Sequence, residues 1–189
     1  MAAVQTNPVL EVLGENVTNL ALNTKYPKEP LNFQQGPWRA FYHCHTVPDD
    51  DLQEHGHFHL FTQYQEQWVH VVALSMNDEG QPQAWLTVNR WVSDGPWISA
   101  AELKQHLKCV SYLIQNSSML ETWLLRMLQV FSNEIQHLLE KRDGMLRQIN
   151  TESIDDAILN DRQYYTLATH KFDLLTTLKR FPNSQAGGL

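Results

Sequence analysis

Cysteine is scarce in this chain of 189 residues: Cys44 and Cys109 are its whole complement, too few for a disulfide framework. A reducing, cytoplasmic location is therefore the expectation. No stretch approaches the ~20 consecutive apolar residues that a membrane span needs. The N-terminus, "MAAVQTNPVLEVLG", has no basic segment followed by an apolar block, so no signal peptide is expected. The "NVT" at 16–18 then has no meaning as a glycosylation site. Positive charge is also in short supply. No basic run exceeds two residues and the net charge is −7, which excludes a non-specific nucleic-acid binder. Repeats and low-complexity tracts are missing too. What remains, 42% hydrophobic and 19% charged residues, is the composition of a globular domain with a core of its own. Residues 1–181 read as a single domain and 182–189 as a frayed tail.

Histidine, by contrast, is concentrated. The stretch "YHCHTVPDDDLQEHGHFHLF", residues 42–61, carries five histidines as two alternating runs, His43-x-His45 and His55-x-His57-x-His59. Its surroundings read as strand. "WRAFYHCH", "HGHFHLFT", "WVHVVALSM" and "AWLTVNRWV" are short, rich in aromatic and β-branched residues, and bounded by turn residues. "NDEGQP" (77–82) reads as a hairpin loop. "KYPKEPLNFQQGPW", with its prolines, reads as a connecting loop.

The flanks have a helical period. Val9, Leu10, Val12, Leu13, Val17, Leu20 and Ala21 predict a helix over 8–23. Ser99 with Glu102 and Ser118 with Glu121 make two capping boxes, the second opening a helix to about residue 149. "QYYTLATHKF" fits either a fifth strand or a helix. The fold class is α+β: an antiparallel β-meander of about four to five strands (38–92) packed with an N-terminal helix and C-terminal helices.

On a strand, alternate side chains share a face. A hairpin that pairs His45 with His55 puts His43 opposite His57 and gathers all five imidazoles; a slip of one residue splits them. His70, on the next strand, joins beside His59 if the turn at "QYQEQ" has the matching parity. Directly opposed strand residues have Cβ atoms about 4.5–5.5 Å apart, close enough for imidazoles to share an ion at ~2.0–2.1 Å. His43, His45, His55, His57, His59 and His70 are thus the candidate ligands of a transition metal, whether iron, copper or zinc. Phe41, Phe58, Leu60 and Phe61 are interleaved among them, as in a packed strand rather than a chelating tail. Glu54, next to the run, is a candidate ligand or proton acceptor. Asp49, Asp50 and Asp51 read as a solvated loop that could also steady histidine tautomers. His106, His137 and His170 stand alone and read as structural. Cys44 reads as a small buried residue, with a nucleophile as the alternative.

A second constellation is "TVNRW" (87–91). Arg90 offers a planar fork for an anionic substrate, or a strand-end partner for one of the aspartates 49–51. Asn89, which reads first as structural, and Trp91 are the neighbouring candidates for binding a cofactor or substrate.

At "EHGHFHLF", "LTVNRWVSDGPWISAAEL" and "LNDRQYY" the chain resembles a family of uncharacterised bacterial proteins of similar length. The resemblance spans roughly residues 8–165. It implies that His43, His45, His55, His57, His59, Asn89, Arg90 and Trp91 belong to a common site, and it implies no reaction. Three functions follow as expectations. The first is a small metalloenzyme, using iron or copper redox chemistry or zinc-activated water on a small polar or anionic substrate. The second is a metal- or haem-binding carrier or sensor, for which Met76 would be a soft ligand. The third is an interaction domain with a polar or pH-sensitive histidine face.

Overall fold

The structure, a computed structural model, describes residues 7–33, 36–44, 53–110, 117–150 and 153–180. A short helix α1 (Pro8–Leu13) leads through a 3-10 turn (Gly14–Thr18) into strands β1 (Lys25–Asn32), β2 (Trp38–His43), β3 (Gly56–Tyr64), β4 (Gln67–Met76) and β5 (Pro82–Val88). Helices α2 (Arg90–Ser93), α3 (Ala100–Lys108), α4 (Met119–Val130), α5 (Ser132–Ile149) and α6 (Asp156–Leu159) come next. Strand β6 (Thr166–Lys171) and α7 (Leu174–Leu178) close the order. The strands form one antiparallel sheet in sequence order, β1 to β6.

Local signals explain most of these elements. Ser99 and Ser118 each accept from the backbone N–H of the glutamate three residues on, whose carboxylate returns the bond to the cap N–H. Asn77 closes the β4–β5 hairpin, its Oδ1 accepting from the N–H groups of Glu79 and Gln81. Gly80 supplies the positive φ of +72° that the turn needs.

Three expectations are corrected and one open alternative is decided. The segment from Lys25, expected to be a loop, is strand β1. It tolerates Pro27 and Pro30 because it lies at the sheet edge, with its pairing interrupted between Tyr26 and Leu31. The ambiguous segment near 166 is the other edge, β6. The N-terminal α-helix stops at Leu13, where Gly14 takes a φ of +52° and the chain tightens to 3-10 geometry. The long C-terminal helix breaks at Phe131, whose buried ring packs at 4.2 Å from Phe172.

The two sheet faces differ in chemistry. Trp38, Ala40, Tyr42, Phe58, Leu60, Leu74 and Trp85 point to the helices and form one core with Leu103, Leu124, Leu125, Phe131, Ile135 and Leu138. Residues of opposite parity, among them Arg39, Phe41, His43, His57, His59 and Phe61, take the other face. There the cross-strand partners on β4 and β5 are small: Ser75 opposite His57, Ala73 opposite His59, and Ala84 opposite Ser75. No described helix is long and apolar enough to cross a membrane.

Candidate metal centre

The β2–β3 register pairs His43 with His57 and Phe41 with His59. One ring nitrogen from each of His43, His57 and His59 then falls within 4.8 Å of the others. Within β3, the two Nε2 atoms of His57 and His59 approach to 2.9 Å. Both side chains are almost fully buried, at 1% and 2% exposed.

His70 completes the group through a bulge. Tyr64 pairs with Gln67 across a two-residue turn, and Phe61 with His70, but Leu60 pairs with Val72. Val71 is the extra residue. In an unbroken strand His70 would share a face with Val72 and Leu74, both in the core. The bulge turns it to the histidine face, where its Nε2 lies 2.9 Å from His59 Nδ1. Burial there pushes its imidazole down to about 3, with nearby His57 adding to the shift. His70 is thus a neutral ring at any physiological pH.

Glu54 anchors the other end, bonded through Oε1 to His57 Nδ1. An ionised carboxylate only accepts, so His57 carries its proton on Nδ1 and turns the Nε2 lone pair toward His59. Two proton arrangements satisfy the rest of the chain. In one, His59 donates Nε2–H to His57, and His70 donates Nε2–H to His59 Nδ1. In the other, His59 donates Nδ1–H to His70, and the Nε2 lone pairs of His57 and His59 face each other. That second arrangement needs a cation between them. The switch moves protons between ring nitrogens without changing the charge of any ring.

His55 goes elsewhere. Its backbone N–H donates to Met76 O at 2.8 Å, and its ring stacks on Tyr42 with Nδ1 at 2.7 Å from the hydroxyl. At Gly56, where the strand starts, a Cβ would come within 2.6 Å of His43 O, 2.8 Å of Tyr42 Oη and 2.9 Å of Cys44 Sγ. Cys44 lies in the same cluster, its thiol pushed up to about 11, chiefly by burial. His45 and Asp49–Asp51 lie outside the described residues. Met76 is buried in the core on the helix side.

"TVNRW" is not strand throughout. Pairing of β5 ends at Val88, and Asn89 caps α2 by accepting from Arg90 N–H at 2.8 Å. The buried Asn89 amide also donates to Ile158 O at 2.9 Å and Asp161 O at 3.3 Å. Arg90 pairs with Asp156 at 2.7 Å. Trp91 donates Nε1–H to Tyr164 O at 2.9 Å and sets its ring edge-on to Tyr165 at 5.5 Å. These three residues thus fasten the end of β5 to residues 156–165. The Tyr165 hydroxyl is pushed up by burial and then by the charge of Glu54. Sequence reasoning missed Tyr165, although it is the last residue of the "LNDRQYY" motif. It also missed Arg39, whose alternation with Phe41 and His43 was the available signal.

Comparison with protein families follows this geometry closely in extent. Residues 1–172 match the model of a domain of unknown function, DUF6969. The chain belongs to this family. The match takes in the whole sheet, and so every residue placed above in the histidine cluster and the Asn89–Trp91 segment. No curated protein matches the chain, and no solved structure does.

Proposed function

We propose that the chain is a metal-dependent protein whose His43, His57 and His59 hold one transition-metal ion, and that it is a small metalloenzyme. The observation that carries this is the convergence of three imidazole nitrogens within 4.8 Å on one sheet face, with a carboxylate fixing the tautomer of one of them. Glu54 and His70 are the groups that orient His57 and His59 by their second ring nitrogens. Purely nitrogenous ligands suit iron, copper or zinc rather than calcium or magnesium.

Two nitrogens at ~2.0–2.1 Å from one ion lie roughly 3.3 Å apart at a tetrahedral angle and roughly 2.9 Å apart at a right angle. The His57–His59 separation of 2.9 Å is short enough for both rings to share one ion, whether iron, copper or zinc. Three protein ligands leave positions for water, dioxygen or substrate, as catalysis requires. A carrier exposes its ligands for exchange, whereas His57 and His59 are buried.

The test is metal analysis of untagged protein, with His57→Ala and His59→Ala alongside. A single bound ion per chain is expected, lost in both variants. Full metal content in either variant, or no uptake of iron, copper or zinc by folded wild type, would overturn the assignment.

A further inference from the structure

Arg39 lies on the histidine face of β2, four residues before His43, and its side chain is unusual in its setting. The guanidinium lies over two rings, those of Phe61 at 5.0 Å and Trp68 at 4.6 Å. Its Nε is buried and has no hydrogen-bond partner, and no carboxylate pairs with it, among the described residues. Aromatic contact does not satisfy the N–H donors at the edge of a guanidinium, which call for an in-plane acceptor.

Arg39 lines a cleft of about 590 Å³ together with Trp68, Arg90, Trp91 and Pro96, a size that fits a small ligand. Gly95 shapes it. With a φ of +147°, the turn there comes so close to β4 that a Cβ would sit 2.8 Å from Trp68 O. The cleft adjoins the histidines, because the Phe61 ring that Arg39 covers meets His70 edge-on at 5.2 Å.

We propose that this cleft binds a small carboxylic acid with an apolar body, its carboxylate held by the edge of Arg39 and its body against Trp68 and Pro96. Local pairing favours a single carboxylate. Arg90 is already neutralised by Asp156, which leaves Arg39 to pair with one negative charge, while a second charge, as on phosphate, would face Glu66 and Asp94 in the same lining. That the acid is the substrate of the metal centre rests on the reading above; its binding at Arg39 does not.

Benzoate is the probe, titrated by NMR into full-length protein, once after chelator treatment and once loaded with zinc. Wild type is expected to bind benzoate in both forms. Benzamide, equal in shape but neutral, should bind at least about tenfold more weakly, and inorganic phosphate should not compete. Arg39→Gln should lose roughly tenfold or more, and Arg39→Lys, which keeps the charge without the fork, should fall between. If Arg39→Gln does not fold, the benzamide comparison and Arg39→Lys decide. Benzoate binding that is absent in wild type, equal for benzamide, or unchanged in Arg39→Gln overturns the proposal. So does zinc uptake at the histidines without benzoate binding, whereas Arg39-dependent benzoate binding in a protein that takes up no metal upholds the cleft and removes the metal centre.

Discussion

His59 and His70 meet ring to ring, Nδ1 to Nε2 at 2.9 Å, only because β4 carries one residue too many opposite Leu60. The bulge at Val71 keeps Val72 and Leu74 in the core and still brings His70 across to the other face. A strand with both features needs a parity change between residues 70 and 72, and a bulge is how a sheet makes one. His70 therefore engages the Nδ1 side of His59 and leaves the Nε2 side, which faces His57, for an ion under the proposed reading.

Removal of His70 should weaken the metal site without abolishing it. His70→Ala leaves His43, His57 and His59 in place but frees the His59 tautomer, so affinity for zinc should fall by roughly 10–100-fold. Calorimetric titration of the folded variant measures this. Complete loss of binding would instead make His70 a direct ligand.

Glu54 makes the matching contact at the other end of the chain of rings. Glu54→Gln removes the charge that holds the proton on His57 Nδ1, and a drop of roughly 10–100-fold in zinc affinity is again expected. Nitrogen chemical shifts give an independent reading. On zinc binding to wild type, His59 should change from Nε2–H to Nδ1–H, while His57 keeps Nδ1–H throughout. Retention of Nε2–H on His59 in the zinc-bound protein contradicts the assignment of that nitrogen as a ligand.

The features legible in the sequence are those that depend on near neighbours. Ser99 with Glu102 and Ser118 with Glu121 are capping boxes within four residues, and each helix begins where its box stands. Strand parity alone put His57 and His59 together, whereas the His43–His57 pairing depended on the hairpin register, which alternation leaves open. Features set at longer range were hidden. The prolines of β1 deny it a strand's signature, and only its place at the edge makes them harmless. Strict parity also assigns His55 to the face of His57, but its ring stacks on Tyr42 and meets the Tyr42 hydroxyl instead. Asn89 reads as strand by its neighbours, whereas its amide is engaged by carbonyls about 70 residues away. Tyr165 and Arg39 gain their roles from packing, which composition does not encode.

Cys44 should be an inert thiol in spite of His55 nearby. The side chain is 1% exposed, and a thiol pushed up to about 11 is only ~0.1% thiolate at pH 8. The shift is upward, so the reactive form grows only as pH climbs toward 11. Iodoacetamide at pH 8 should therefore label the exposed Cys109 and spare Cys44 in the native protein, with both labelled after unfolding. Mass spectrometry of the peptides distinguishes the two. Rapid native labelling of Cys44 would revive it as a nucleophile.

Gly56 joins fold and site at a single point. An alanine there drives its Cβ to 2.6 Å from the His43 carbonyl oxygen, an atom of the neighbouring strand that cannot turn aside like a flexible side chain. β2 and β3 must then separate where His43 faces His57. Overpacking of this kind costs about 1–3 kcal/mol, which urea denaturation would report as a lower midpoint. The same separation pulls His43 from His57 and His59, so zinc affinity should fall along with stability. Gly144→Ala is the control, because a Cβ at that helical position meets nothing within 4 Å. It should leave both measurements at wild-type values or raise stability slightly, since alanine is the better helix former. Equal behaviour of the two variants would show that the close approach at Gly56 does not set the distance between the strands.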